Sequence, residues 1–314
     1  MLSLHKFLFE SMLNRRILRI KAFKAIYSYA ENPGMTMGDT EALLEHSCES
    51  VRDLYLFMMS VIVPVTKEAS ARITAAQNKF NPTEEELHPN LKFVNNRLAA
   101  MLEEDPDFQK MISRKKLSWE QYDMFLRHLY ENIRERDYFK RYLEAEEDSL
   151  AKDAKLWVKI FENEFEDNAE LVPILEELSI YWNDDLSYAL IWCCKTLENL
   201  GKGQRWELPA LYQSDADKKT EDDKAFVVKL VRAAYSGFGK YYEKIAGSTP
   251  KWDKSRICAT DLALIVCGLA EADTFRNIAS SITINEFVEI SKYYSTPESR
   301  GFVNGVLDKL INKH

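Results

Sequence analysis

Glycine and proline are scarce in this chain, 10 and 9 among 314 residues. Hairpins, bulges and tight turns lean on those two residues, so an architecture of many short strands is excluded and long helices are favoured. The five cysteines, Cys48, Cys193, Cys194, Cys258 and Cys267, offer no pair at metal-finger spacing. An odd number of thiols with no signal peptide indicates reduced cysteines in a cytoplasm, acting as small buried hydrophobes. No apolar run reaches the roughly 20 residues needed to span a bilayer. A glycine-rich phosphate loop, a nucleophile elbow and a Ser/His/Asp pattern are all missing, which argues against an enzyme. Glu85-x-x-His88 has di-iron spacing but stands as one copy beside Pro89, and Glu45-His46-Ser47-Cys48 has no second cluster, so no metal or cofactor is expected.

What is present points to helices. Hydrophobic residues make up 46%, enough for a substantial core, and Leu, Ala, Glu and Lys lose little side-chain freedom in a helix. The net charge of −8 and pI of about 5.4 do not advertise a polyanion binder. Averages conceal local patches, however, and counterion release depends on the patch. The stretch Ser11 to Ala30 carries Arg15, Arg16, Arg19, Lys21 and Lys24 and no acid. Acids gather elsewhere, at Glu84-Glu85-Glu86, at Glu144 to Asp148 and between Asp215 and Asp223. The basic, amphipathic start from Met1 to Phe23 also has the character of a mitochondrial targeting peptide, the lesser of two readings.

Along the chain, Leu13, Ile17, Ile20, Phe23 and Tyr27 recur at three- and four-residue steps and predict a first helix over 13–29, with Arg15 and Arg19 projecting together into solvent. Asn32-Pro33-Gly34 ends it. A long helix follows over 39–79, ended or kinked by Pro64. Asp105-Pro106 is an N-cap with proline at the first helical position, and Ser118-Trp119-Glu120-Gln121 is a capping box. Further helices are expected over 149–165, 169–178 and 184–200, with Asn183 or Asp184 capping the last of these. Residues 204–223 read as a loop. Four helices fill the final third, over 224–244, 253–271, 284–294 and 297–311, the last capped by Thr296 with Pro297 in its first turn.

The tail then becomes specific. Ile284-Asn285-Glu286-Phe287-Val288-Glu289-Ile290-Ser291-Lys292 is followed after a short turn by Phe302-Val303-Asn304-Gly305-Val306-Leu307-Asp308. This pair of strings resembles the signature of the NusB family. Arg15-Arg16, Arg19, Ala22, Ala25 and Tyr27 are similar to that family's opening helix. Phe226 and Leu230, and then Asp261, Ala263, Gly268 and Glu271, fit two of its central helices. The resemblance covers about 12–30 and 222–312. It implies an all-α, NusB-like helical bundle formed by 1–30 and 181–314, with a large helical insertion, 31–180, after the first helix.

Members of that family are implied to be cytoplasmic, non-catalytic factors of transcription antitermination. They bind boxA-type single-stranded RNA of ribosomal RNA leaders together with the ribosomal protein NusE, within the RNA polymerase antitermination complex. Carried over position by position, the resemblance assigns RNA contact to Arg15, Arg16 and Arg19 and to Glu298, Ser299, Arg300 and Phe302 of the last turn. Cations for phosphates and flat side chains for unstacked bases are what such recognition needs. Phe302 equally fits the apolar stripe of the last helix. Asn304 and Gly305 read as structural, the glycine for close helix packing. Tyr27 and Asp261 match positions toward the NusE partner, and Tyr27 reads equally as a half-buried core tyrosine. The chain departs from the family pattern at Leu262, Val266, Ala270 and Gly301. Those departures and the acidic insertion motivate an alternative, a helical protein–protein scaffold that has lost RNA recognition. A methyltransferase accessory module is a third reading, disfavoured by the absence of a glycine-rich cofactor segment.

Overall fold

In a computed structural model, which describes residues 11–213, 222–248 and 257–312, the chain is all helical. The helices are α1 (Arg15–Glu31), α2 (Met37–Ser60), α3 (Ile62–Gln77), α4 (Glu84–Leu87), α5 (Arg97–Glu104), α6 (Pro106–Lys115), α7 (Asp123–Glu135), α8 (Asp137–Glu144), α9 (Leu150–Glu164), α10 (Leu171–Leu178), α11 (Leu186–Gly201), α12 (Asp223–Ser248), α13 (Ala259–Thr274), α14 (Ser280–Tyr294) and α15 (Pro297–Ile311). The first part of the targeting-peptide reading, the middle of the 204–223 loop and the expected start of a helix at Asp253 lie outside the described residues.

Two compact units divide the chain: Ser50–Pro209, and Phe9–Glu49 with Ala210–His314. The first unit overlaps most of the expected insertion, 31–180. One end of the compact unit falls inside α2, and α11 belongs to it because α11 packs along α9.

Local chemistry explains several of the helix starts. Asn14 caps α1, its side chain accepting from the amides of Arg16 and Ile17. Asp105 caps α6 over Pro106, and Thr296 caps α15 over Pro297, as the sequence predicts. The long helix expected over 39–79 breaks at Val61, upstream of Pro64. Proline has no amide hydrogen for the carbonyl four residues back, so the break comes one turn earlier and leaves Pro64 in the first turn of α3. Among the described residues, the 37–77 stretch is long and apolar enough to cross a membrane, but 61% of its most apolar window is buried inside the protein.

Two expected caps are not made. Ser118 accepts only from the Glu120 amide, in a turn that precedes α7, while the Trp119 indole donates to the Phe57 carbonyl. Burying that indole against Phe57, with ring centroids 4.0 Å apart, displaces the helix start to Asp123. The cap of α11 is Asp185, whose side chain makes no capping hydrogen bond, and Trp182 is buried beside Phe57.

In the second unit α13 is the axis. Every residue from Asp261 to Glu271 is buried, and α1, α12, α14 and α15 pack around it. A helix apolar on all sides belongs in an interior. Leu262, Val266 and Ala270, which depart from the family pattern, are therefore core residues of this packing. The chain before α1 is tied to the same unit, the amides of Met12 and Leu13 donating to the carbonyls of Ala210 and Leu211 at 2.8 and 3.0 Å.

The close-packing glycine is Gly268 and not Gly305. A β-carbon on Gly268 meets Leu307 at 2.7 Å and Phe287 at 3.4 Å, both fully buried, whereas Gly305 is exposed with nothing within 4 Å. Gly268→Ala is expected to cost about 1–3 kcal/mol through overpacking. Gly305→Ala should instead stabilise by about 0.5–1 kcal/mol, because alanine loses less backbone freedom in a helix. Urea melts of the two variants, compared with the parent, measure both; equal shifts of the same sign would contradict this packing.

Candidate nucleic-acid interface

The three arginines of α1 do not project together into solvent. Each meets a carboxylate from a different helix of the same unit. Arg15 Nε lies 2.6 Å from Asp223 at the start of α12, with its guanidinium 4.1 Å above the Phe226 ring. Arg16 forks onto Glu286 of α14, with Nε and Nη2 donating at 2.9 and 2.7 Å. Arg19 forks onto Glu271 of α13 at 2.7 and 3.0 Å, and its Nη1 stands 3.8 Å from Glu286. The Thr283 hydroxyl donates to Glu271 Oε1 at 2.7 Å.

Burial separates these pairs. The side chains of Arg19 and Glu271 are 5% and 0% exposed, while Arg16 remains 49% exposed. Arg19 as placed is an interior residue whose hydrogen-bonding fork is taken up by Glu271, and it presents no guanidinium to a ligand. The physical reason is that α1 is buried over most of its circumference, including Ile17, Leu18, Ala22, Ala25 and Ile26, so a side chain one turn from Arg15 enters the core. Burial raises the Asp223 carboxyl above its ordinary value, outweighing the opposing pull of Arg15. At Glu286 the balance reverses: hydrogen bonds from Arg16 hold the carboxyl below its ordinary value against a smaller effect of burial.

The turn between α14 and α15 forms a second cluster. Glu298, Arg300 and Gly301 are exposed, and Ser299 and Phe302 are half-buried. The Ser299 amide donates to the Thr296 hydroxyl oxygen at 3.2 Å, which fixes the turn. Asp261 is buried beneath it and accepts from the Ser295 hydroxyl, so its carboxylate holds the turn to the start of α13.

Helix α1 runs alongside α14 in the same direction, since Arg16 meets Glu286 and Phe23 meets Tyr294 at 5.2 Å between centroids. Seven residues of helix are about 10 Å. The arginines thus sit that far below the level of the turn, and the α1 cation nearest to it is Lys24, whose ammonium lies 5.5 Å from the centre of the Tyr294 ring. Tyr27, 38% exposed, and Tyr294 both pack against Phe23, and Tyr293, next to Tyr294 in the chain, is 74% exposed. Lys24, Tyr293 and Tyr294 were not singled out from the sequence. The adjacent tyrosines directly before the Thr296-Pro297 cap are the signal that marks them.

Two outcomes follow from this geometry. Arg19→Ala strands Glu271 in the core, and breaking a buried pair costs about 3–5 kcal/mol. A chemical-denaturation midpoint unchanged by Arg19→Ala would contradict the buried pair. A triple Arg15, Arg16 and Arg19 substitution by alanine is accordingly a stability variant before it is a binding variant. Glu286, whose folded carboxyl lies below the ordinary 4.5, stabilises the fold above that pH and ceases to do so as the pH falls through its lower folded value. Asp223 acts in the opposite sense. Glu286→Gln should flatten the acid limb of the stability–pH curve, measured by urea melts between about pH 6 and 3.

The NusB family profile matches residues 196–312, from within α11 to the end of α15. The transcription antitermination protein NusB of Methylacidiphilum infernorum is 39% identical over 69 residues, 22% of this chain and 48% of that protein. That of Thermodesulfovibrio yellowstonii is 27% identical over 128 residues, 39% of this chain and 85% of the relative. That of Acetivibrio thermocellus is 34% identical over 95 residues, 29% and 63% of the two chains. The first of these matches spans about half the relative's length, and each covers well under half of this chain. No solved structure matches the chain significantly. With its paired tail motifs on α14 and α15 around a buried α13, the region 196–312 matches the NusB family.

Proposed function

We propose that this chain is a non-catalytic, cytoplasmic factor of transcription antitermination that binds boxA-type single-stranded RNA from ribosomal RNA leaders, with NusE as protein partner. What supports the reading is Lys24 beside the Tyr294 ring, with Tyr27 joined to that ring through Phe23, and the exposed Tyr293 and Arg300 on the adjoining end of α14 and start of α15. Cations and flat rings together are what an unstacked strand requires, because every base has a face to stack and every nucleotide a phosphate. Glu298, Ser299 and Phe302 lie on the same turn. Arg16, half exposed beside Glu286, extends this group down α1. Arg15 lies farther down α1, against Asp223. An overall charge of −8 does not oppose this, for reasons of distribution: residues 50–209 hold 21 Lys and Arg against 30 Asp and Glu, and the rest of the chain holds 21 against 20. The acid excess is thus confined to the unit that lacks the α1, α14 and α15 elements.

A second reading, a protein–protein scaffold without RNA recognition, is favoured by one observation: the α1 arginines are engaged by Asp223, Glu286 and Glu271. Fluorescence anisotropy with a labelled boxA-type RNA, with and without NusE, separates the two. Under the first reading the RNA binds, and the log–log salt slope falls by roughly 0.7 for each phosphate-contacting cation removed, as in Lys24→Ala or Arg300→Ala. Tyr293→Ala weakens binding by about 1–3 kcal/mol if a base stacks there. No binding by the folded protein with NusE present selects the scaffold.

A further inference from the structure

We propose that the 50–209 unit carries a docking surface on α10 and the turn after it, for a segment of a partner protein bearing an aliphatic side chain flanked by lysine or arginine. Three observations converge there. The first is apolar exposure. Leu171, Ile174 and Leu175 bury the inner face of α10, yet Val172 is 46% exposed on its outer side, with Leu178 at 37% and Ile180 in the following turn at 75%. Three exposed aliphatic side chains within nine residues of chain offer apolar area that a partner can cover.

The second is a recess. A cavity of about 170 Å³ opens beside Val172, walled by Leu175, Glu176, Asn183 and Ser187. Its rim is set by a hydrogen bond in which the Ser187 hydroxyl donates to Glu166 at 2.8 Å. The recess is of a size to take one aliphatic side chain.

The third is the sign of the charge. From Ile160 to Cys194 the chain has nine Asp and Glu and no Lys or Arg. Glu162 pairs with Lys159 and the buried Glu164 with Arg136, which leaves the acids at and around the recess, Glu166, Glu170 and Glu176 among them, to set its sign. His128, from α7, contacts Glu170 at 2.8 Å, while Glu176 stands exposed at the recess. A polyanion is repelled from such a surface, whereas a cationic segment is steered to it and its apolar side chain gains contact area on arrival. RNA is therefore the disfavoured occupant, and the unit extends what the protein binds without extending an RNA footprint.

The test uses the full chain and three probes: a fluorescein-labelled amphipathic peptide of leucine and lysine, a glycine–lysine peptide of equal charge and length, and the boxA-type RNA. The leucine–lysine peptide should bind at least tenfold tighter than the glycine–lysine peptide. Val172→Ser combined with Ile180→Ser should abolish that advantage, and Glu176→Lys should weaken both peptides several-fold. All three substitutions are at exposed positions, and circular dichroism melts confirm that the variants fold. RNA affinity should be unmoved by any of them. Equal affinity for the two peptides, or variants that bind the leucine–lysine peptide as the parent does, overturns the proposal. So does loss of RNA binding in these variants, which would make the face an RNA surface. Sedimentation showing a dimer that the Val172→Ser and Ile180→Ser pair dissociates would assign the face to a second copy and overturn it too. A failure of RNA binding in the parent, with the peptide result intact, bears on the proposed antitermination role alone.

Discussion

The ion pair of Arg19 with Glu271 sets the register of the second unit. Removing both charges from water is costly, and the attraction repays it only when the geometry is good and the remaining lone pairs are satisfied. Here the fork is bidentate and the Thr283 hydroxyl supplies a further hydrogen bond to Glu271, so three helices, α1, α13 and α14, meet at one carboxylate. A slide of α1 by one residue moves the guanidinium away from its partner. The placement of Lys24 beside Tyr294, and so the composition of the candidate interface, follows from that register.

The same network changes the meaning of the basic opening. Twenty residues without an acid read as a positive patch while the chain is considered in one dimension. In the folded unit Asp223, Glu271 and Glu286 arrive from α12, α13 and α14, more than 200 residues away, and each takes an arginine. The candidate interface lies higher on α1 and on the turn before α15. Charge is segregated on a larger scale instead, with the acid excess in the 50–209 unit and near balance elsewhere. Such a division allows an acidic protein to hold an anion at one place and a cationic protein at another.

Much of the fold was legible because it rests on local chemistry. The all-helical class followed from few glycines and prolines and from three- and four-residue apolar steps. The caps at Asp105 and Thr296 act through side chains within three residues of the amides they satisfy, and both ends were read correctly. The tail motif pointed to the family whose profile matches 196–312. The capping box at Ser118 failed where a non-local demand intervened, the burial of Trp119 against Phe57. Gly305 was read as the packing glycine because it lies in the motif, but only the approach of Leu307 to α13 shows that Gly268 has that role.

By itself, then, the sequence determined the helical class, several of the helix ends, the NusB resemblance of the tail and the uneven distribution of acids along the chain, since each depends on neighbours within a few turns or on composition. Tertiary structure decided which cations face water. That choice is made by carboxylates brought from distant helices and by burial, and neither distance in space nor desolvation is written in the order of residues. Arg19 and Lys24, five positions apart on one helix, are alike in sequence character; packing against α13 makes the first a core residue, and packing beside Tyr294 leaves the second at the edge of the candidate interface.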